Sequence, residues 1–138
     1  MLTSREEEPV ESSELLARFV LNRIHVRQDG TLRPNAFIPY PYPDLSVTRH
    51  LQLAEAALWE VGKRVACQTG KTLYGRADVC SSVFESQGLH VEAAPVPENR
   101  NHANVVGWPI EKPAQKSIAQ EIAAVAGKIR EVPSDSTG

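Results

Sequence analysis

The stretch Leu45-Ser46-Val47-Thr48-Arg49-His50-Leu51-Gln52-Leu53-Ala54-Glu55-Ala56-Ala57-Leu58-Trp59-Glu60-Val61-Gly62-Lys63-Arg64-Val65-Ala66-Cys67-Gln68-Thr69-Gly70 changes hydrophobic period partway along. Leu45 and Val47 share one side of an alternating run, which predicts a strand from Leu45 to His50. From Leu51 the apolar residues Leu51, Ala54, Leu58, Val61 and Val65 recur at steps of three and four, the pattern of one buried helical face. Gly70 supplies the positive φ that ends such a helix. A strand running directly into a helix sets the element types from which the rest of the fold is read.

Upstream, Pro41-Tyr42-Pro43-Asp44 is a stiff turn. Leu32 to Tyr40 reads as a strand, and Pro34 and Pro39, which cannot donate to a ladder, put it at a sheet edge. Gln28-Asp29-Gly30-Thr31 is a turn with Gly at its positive-φ position. Glu14 to Arg27 reads as a short helical start, from Leu15, Leu16, Phe19 and Val20, followed by a strand to Arg27. Downstream, residues 78 to 87 suit a short helix with Asp78 as N-cap and Gly88 just past its end. Leu89, Val91 and Ala93 alternate with His90 and Glu92 as a half-exposed strand. A last strand runs around Ala103 to Trp108. Pro113 opens a final helix whose stripe is Ile118, Ile122, Val125 and Ile129.

The order is strands, helix, helix, strands, helix. It predicts an α+β fold: a small antiparallel or mixed sheet of about five strands, with two to three helices packed on one face. The chain of 138 residues is the size of one domain. Residues 1–11 are expected as a disordered acidic tail, 12–131 as the single domain, and 132–138 as a disordered end. The acidic start does not resemble a secretory signal, and no run approaches the length of a membrane span. Cys67 and Cys80 are expected to be free thiols of a cytoplasmic protein.

The net charge of −2 disfavours a strongly basic nucleic-acid binder. Residues 12–77 nevertheless hold nine basic and five acidic groups. The simplest account of Arg18, Arg23, Arg27 and Arg33 is a solvated sheet face.

Named catalytic motifs are missing. Gly70-Lys71-Thr72 has Val65 where a phosphate-binding loop needs its first Gly. There is no G-x-G-x-x-G, H-E-x-x-H, C-x-x-C or G-x-S-x-G. No metal or cofactor is expected. Polar and aromatic clusters remain. Asn99 to Pro109 gathers three Asn, an Arg, a His and a Trp, a density of directional hydrogen-bonding groups suited to recognition.

Two readings follow. The first is an interaction or regulatory module, for example a subunit of a defence or toxin–antitoxin type system, binding another protein through Tyr42, Arg76, Asn101, Asn104 and Trp108. The second is a small enzyme acting on RNA or a nucleotide. It would use His25, His50 and His102 as acid and base groups, with Arg49 and Arg76 as anion clamps.

Four strings, Asn35-Ala36-Phe37-Ile38-Pro39, Leu45-Ser46-Val47-Thr48-Arg49, Tyr74-Gly75-Arg76-Ala77-Asp78 and His102-Ala103-Asn104-Val105-Val106-Gly107-Trp108-Pro109, resemble a group of small uncharacterised bacterial proteins. The resemblance covers most of residues 16 to 126. It implies a bacterial or phage-type cytoplasmic setting and carries no activity.

Overall fold

The computed structural model describes residues 5–133; the outermost parts of the two expected loose ends lie outside the described residues. The elements are β1 (Leu15–Val20), β2 (Leu45–Arg49), α1 (Glu55–Thr69), β3 (Gly75–Cys80), α2 (Ser81–Glu85), β4 (His90–Ala93), β5 (His102–Val106), α3 (Lys112–Ala126) and β6 (Arg130–Glu131). The strands form one antiparallel sheet of six, in the order β4-β5-β2-β1-β3-β6. The protein is therefore α+β with a small antiparallel sheet.

Alternation along the strands separates two faces. Leu16, Val20, Leu45, Val47, Ala77, Val79, Val91, Ala103 and Val105 point to one side. There they pack with Phe37, Phe84 of α2, and Ala119 and Ile122 of α3 to form the main core. Ala17 and Phe19 point to the other side and meet Leu58 of α1, with Leu21, Val61 and Leu73 around them. The expected single helical layer is thus replaced by two: α2 and α3 on one face, α1 on the other.

Two-sided burial also explains why β1 was expected to begin as a helix. A central strand covered on both faces presents a near-continuous apolar run, which a short helix can imitate. The strand then stops at Val20, and Arg23–His25 forms a 3-10 turn capped by the Asn22 side chain, which accepts from Ile24 N at 3.0 Å.

The expected edge strand at Leu32 to Tyr40 does not form. Pro34 instead opens a 3-10 turn, Pro34–Phe37, that buries Ala36 and Phe37, because the ring fixes φ at a value suited to a first helical position. Only Leu32 keeps a bridge, to Val26. The sheet edges are β4 and β6. Asp78 caps no helix: β3 runs through it to Cys80, and α2 starts at Ser81. Gly88 does take positive φ beyond α2, and Pro113 does sit in the first turn of α3. In α3 the core side is Gln115, Ala119, Ile122 and Ala123, and Val125 is 65% exposed. Of the expected stripe, Ile122 is fully buried and Ile118 and Ile129 pack against the core, and Ala119 and Ala123 complete that side.

Residues 5–11 follow Arg49 instead of trailing loosely. The Arg49 guanidinium donates to both Glu14 carboxylate oxygens at 2.8 Å, and to the Glu8 and Glu6 carbonyls at 2.8 and 3.2 Å. Val10 then reaches the main core.

α1 rests on the sheet through Gly62. A Cβ there would lie 2.7 Å from Phe19 Cε1, so Gly62→Ala is expected to push the helix off Phe19 and cost about 1–3 kcal/mol. Denaturant unfolding measures this, and a loss below the lower bound would mean the contact is loose.

Candidate binding groove

The β1–β2 ladder pairs Leu16 with Arg49 and Ala17 with Thr48, and then the strands part. Arg18 fills the opening. Its Nε donates to the Ala36 carbonyl and its Nη1 to the Ser46 carbonyl, each at 2.9 Å. The bond to Ser46 stands in for the ladder bonds lost there. Arg18 is therefore not part of a solvated face. Burial pulls its pKa down to about 10, with no carboxylate opposing that effect.

An open groove of about 460 Å³ lies over this seam. Val65 and Thr69 of α1, with Lys71, form one wall. Pro39, Tyr42, Pro43 and Asp44 form the other. Arg18, Leu21, Ser46 and Asn104 lie between them. Tyr42 is 71% exposed, and the flanking prolines stiffen its loop. The groove thus joins two residues singled out for binding, Tyr42 and Asn104, to an arginine that was not.

His25 belongs to this end of the molecule. Burial, and then the charges of Arg18 and Lys71, hold its pKa below the usual imidazole value. The unfolded chain therefore binds more protons than the folded one below pH 6.5. Stability from this group is present above that pH and is lost as pH falls through the folded value. An NMR titration is expected to place the His25 midpoint below that of a free imidazole, and Arg18→Gln is expected to raise it.

His50 sits beyond the opposite end of β1, where its backbone N donates to Leu15 O at 3.2 Å. Its Nε2 lies 2.9 Å from Asp78 Oδ1, and because a carboxylate only accepts, Nε2 carries the proton. Ala17 pairs in register with Asp78 and with Thr48, two residues before His50, so the two side chains meet diagonally across β1 over a small residue. Arg76 holds Asp78 from the other side through Nε at 2.9 Å and Nη2 at 3.1 Å. It also reaches the Glu55 carboxylate of α1 at 2.6 and 3.2 Å, and Trp59 covers its guanidinium carbon at 4.6 Å. Arg130 stands further out, 3.8 Å from Asp78 and 3.9 Å from Glu55. This network ties α1 to β3 and leaves Arg76 saturated by carboxylates.

Burial pushes the Asp78 carboxyl up, but bonds from His50 and Arg76 outweigh it and leave the pKa below the usual carboxylate value. Glu14 is lowered too: burial opposes, and the Arg49 hydrogen bond prevails. For both groups stability is present above the unfolded values of 3.8 and 4.5, and is lost as pH falls through the folded ones. Unfolding free energy is expected to decline steadily below about pH 4.5. A flat profile down to about pH 3 would contradict both pairings.

Of the other named residues, Asn101 is buried and His102 and Trp108 are half-buried. Asn101 Nδ2 donates to the Arg49 carbonyl at 2.8 Å, and Trp108 Nε1 to the Val105 carbonyl at 3.0 Å. His102 pairs in register with Thr48, and its Nδ1–H donates to the Ala94 carbonyl at 2.9 Å. His25 does not join His50, since the two lie past opposite ends of β1, whereas His102 is in register with Thr48, two residues before His50. Cys67 and Cys80 are free thiols, and no cluster of metal-ligating side chains occurs among the described residues.

No family model, characterised protein or solved structure matches the chain significantly. No helix among the described residues is long and apolar enough to cross a membrane.

Proposed function

We propose that this protein is a small interaction module that holds an extended segment of a partner protein in the groove between α1 and the Pro39–Asp44 loop. The observation that carries the reading is the exposed Tyr42 ring, set between prolines beside Asn104 and Ser46 over an opened sheet seam. A rigid, amphipathic aromatic of this kind is a typical anchor at protein interfaces. The amide and hydroxyl beside it provide hydrogen bonds for a main chain. The groove is open to solvent rather than enclosed, which suits a segment better than an enclosed small molecule. The enzyme reading loses ground because His25 lies at the far end of β1 from His50 and both of its clamps are occupied, Arg49 by Glu14 and Arg76 by Glu55 and Asp78. A second cleft, of about 530 Å³, carries Glu131 beside Arg23 and Arg27, and its aromatic, Tyr74, is 37% exposed against 71% for Tyr42. A regulatory role in a bacterial cytoplasmic system fits this reading.

Affinity capture from the host lysate provides the test. The wild type is expected to retain a defined partner that the double variant Tyr42→Ala, Asn104→Ala loses. Ile110→Ala should keep it, since Ile110 is 91% exposed and lies outside the groove. Identical capture by the wild type and the double variant would refute the groove.

A further inference from the structure

Three adjacent strands each carry one arginine: Arg49 in β2 and Arg76 in β3 are buried, and Arg18 in β1 is half-buried. Arg49 pairs with Glu14, and Arg76 with Glu55 and Asp78. Arg18 has only two carbonyl oxygens, and no carboxylate among the described residues stands within ion-pair distance of it. Carbonyls satisfy donors but do not neutralise a charge, and a desolvated charge without a counter-ion is costly. Two other basic groups accumulate at the same place: Lys71 on the groove wall, and His25, which feels both cations. Asp44, on the rim, is the acidic member of the groove lining and makes no ion pair with Arg18.

We infer that Arg18 and Lys71 form an anion subsite in the groove, taking a carboxylate or phosphoryl side chain of the docked protein segment. This rests on the groove being the docking surface and adds the chemistry of what docks: an acidic or phosphorylated residue set over the β1–β2 seam, with its neighbours against Tyr42. The anion supplies the counter-charge that the fold withholds from Arg18 while providing it to the other two strand arginines. Charge-assisted bonds to a guanidinium are among the stronger single contacts available to such a segment.

The test uses the whole protein, ¹⁵N-labelled, with three capped pentapeptides of glycine carrying a central Glu, phosphoserine or Gln. The signals followed are the Arg18 Nε–H and the amides of Asn104 and Tyr42. The Glu and phosphoserine peptides are expected to shift Arg18 saturably, and the Gln peptide to bind about tenfold more weakly or not at all. A larger effect from Glu or from phosphoserine identifies the source of the anion. Arg18→Gln removes the seam bonds as well, so Lys71→Gln is the companion variant; its side chain makes no hydrogen bond among the described residues, and it should weaken both anionic peptides.

Three results would overturn the inference. If all peptides move Tyr42 and Asn104 equally and leave Arg18 still, the groove docks segments without an anion subsite. If inorganic phosphate shifts Arg18 but no peptide binds, the subsite is real and the protein segment is wrong. If adenosine monophosphate saturates the groove where the peptides fail, the occupant is a nucleotide.

Discussion

Arg76→Ala is expected to destabilise the protein by about 3–5 kcal/mol, the cost of removing one partner from a buried ion pair. The side chain is fully buried and touches three others at once: Asp78, Glu55 and the Trp59 ring. Its loss leaves the Asp78 carboxylate, 12% exposed, with His50 at hydrogen-bond distance and Arg130 at 3.8 Å. It also removes the link between β3 and the first turn of α1, and opens a void under Trp59. Arg76→Met fills most of that void, so it should recover part of the loss but not the part owed to Asp78. Urea unfolding of the wild type and both variants separates the two contributions. A loss below about 1 kcal/mol for Arg76→Ala would place the network with ordinary surface pairs and remove its role in holding α1.

Arg49→Ala is expected to cost a similar amount, about 3–5 kcal/mol, but with a different spatial signature. Arg49 is 2% exposed and pairs with Glu14, and the same guanidinium gathers the Glu6 and Glu8 carbonyls. Without it the segment from Arg5 to Glu11 loses its main polar anchor, while the sheet keeps its ladders. Hydrogen exchange and limited proteolysis should therefore report early opening of residues 5–11 in Arg49→Ala and not in Arg76→Ala. Glu14→Gln, which keeps a hydrogen-bonding side chain, should show the milder form of the same change. Uniform loosening in both arginine variants would mean that the two networks are not local supports.

The sequence disclosed those parts of the fold where periodicity and punctuation agree. The change from an alternating run to a helical one at Leu45 to Gly70 marks β2 and α1, and Gly30, Gly70, Gly88 and Pro113 fall where turns and helix ends occur. β1 was hidden because burial on both faces erases the alternation that identifies a strand. β3 was hidden for the opposite reason. Its second face carries Arg76 and Asp78, and charged residues beside Gly75 resemble a loop and a helix cap until Glu55, Trp59 and His50 are seen to close over them.

The groove was half legible. Tyr42 and Asn104 stand out as an exposed aromatic in a proline loop and an amide in a strand. Arg18 does not, because its partners are main-chain carbonyls, which leave no trace in residue identity. The His25, His50 and Arg49 grouping needed both strand ends on one side; β1 and β2 are neighbours, but His50 follows β2 beside Leu15 while His25 lies past Val20, at the other end of β1.

The central claim is that a partner occupies the opened β1–β2 seam. Hydrogen exchange of the protein with and without its captured partner tests it most directly. The prediction is slowed exchange in residues 39–46, at Asn104 and in the C-terminal half of α1, with the His50–Asp78 end and the β4 edge unchanged. Protection confined to β4 or to the His50–Asp78 end, with the seam unaffected, would contradict it.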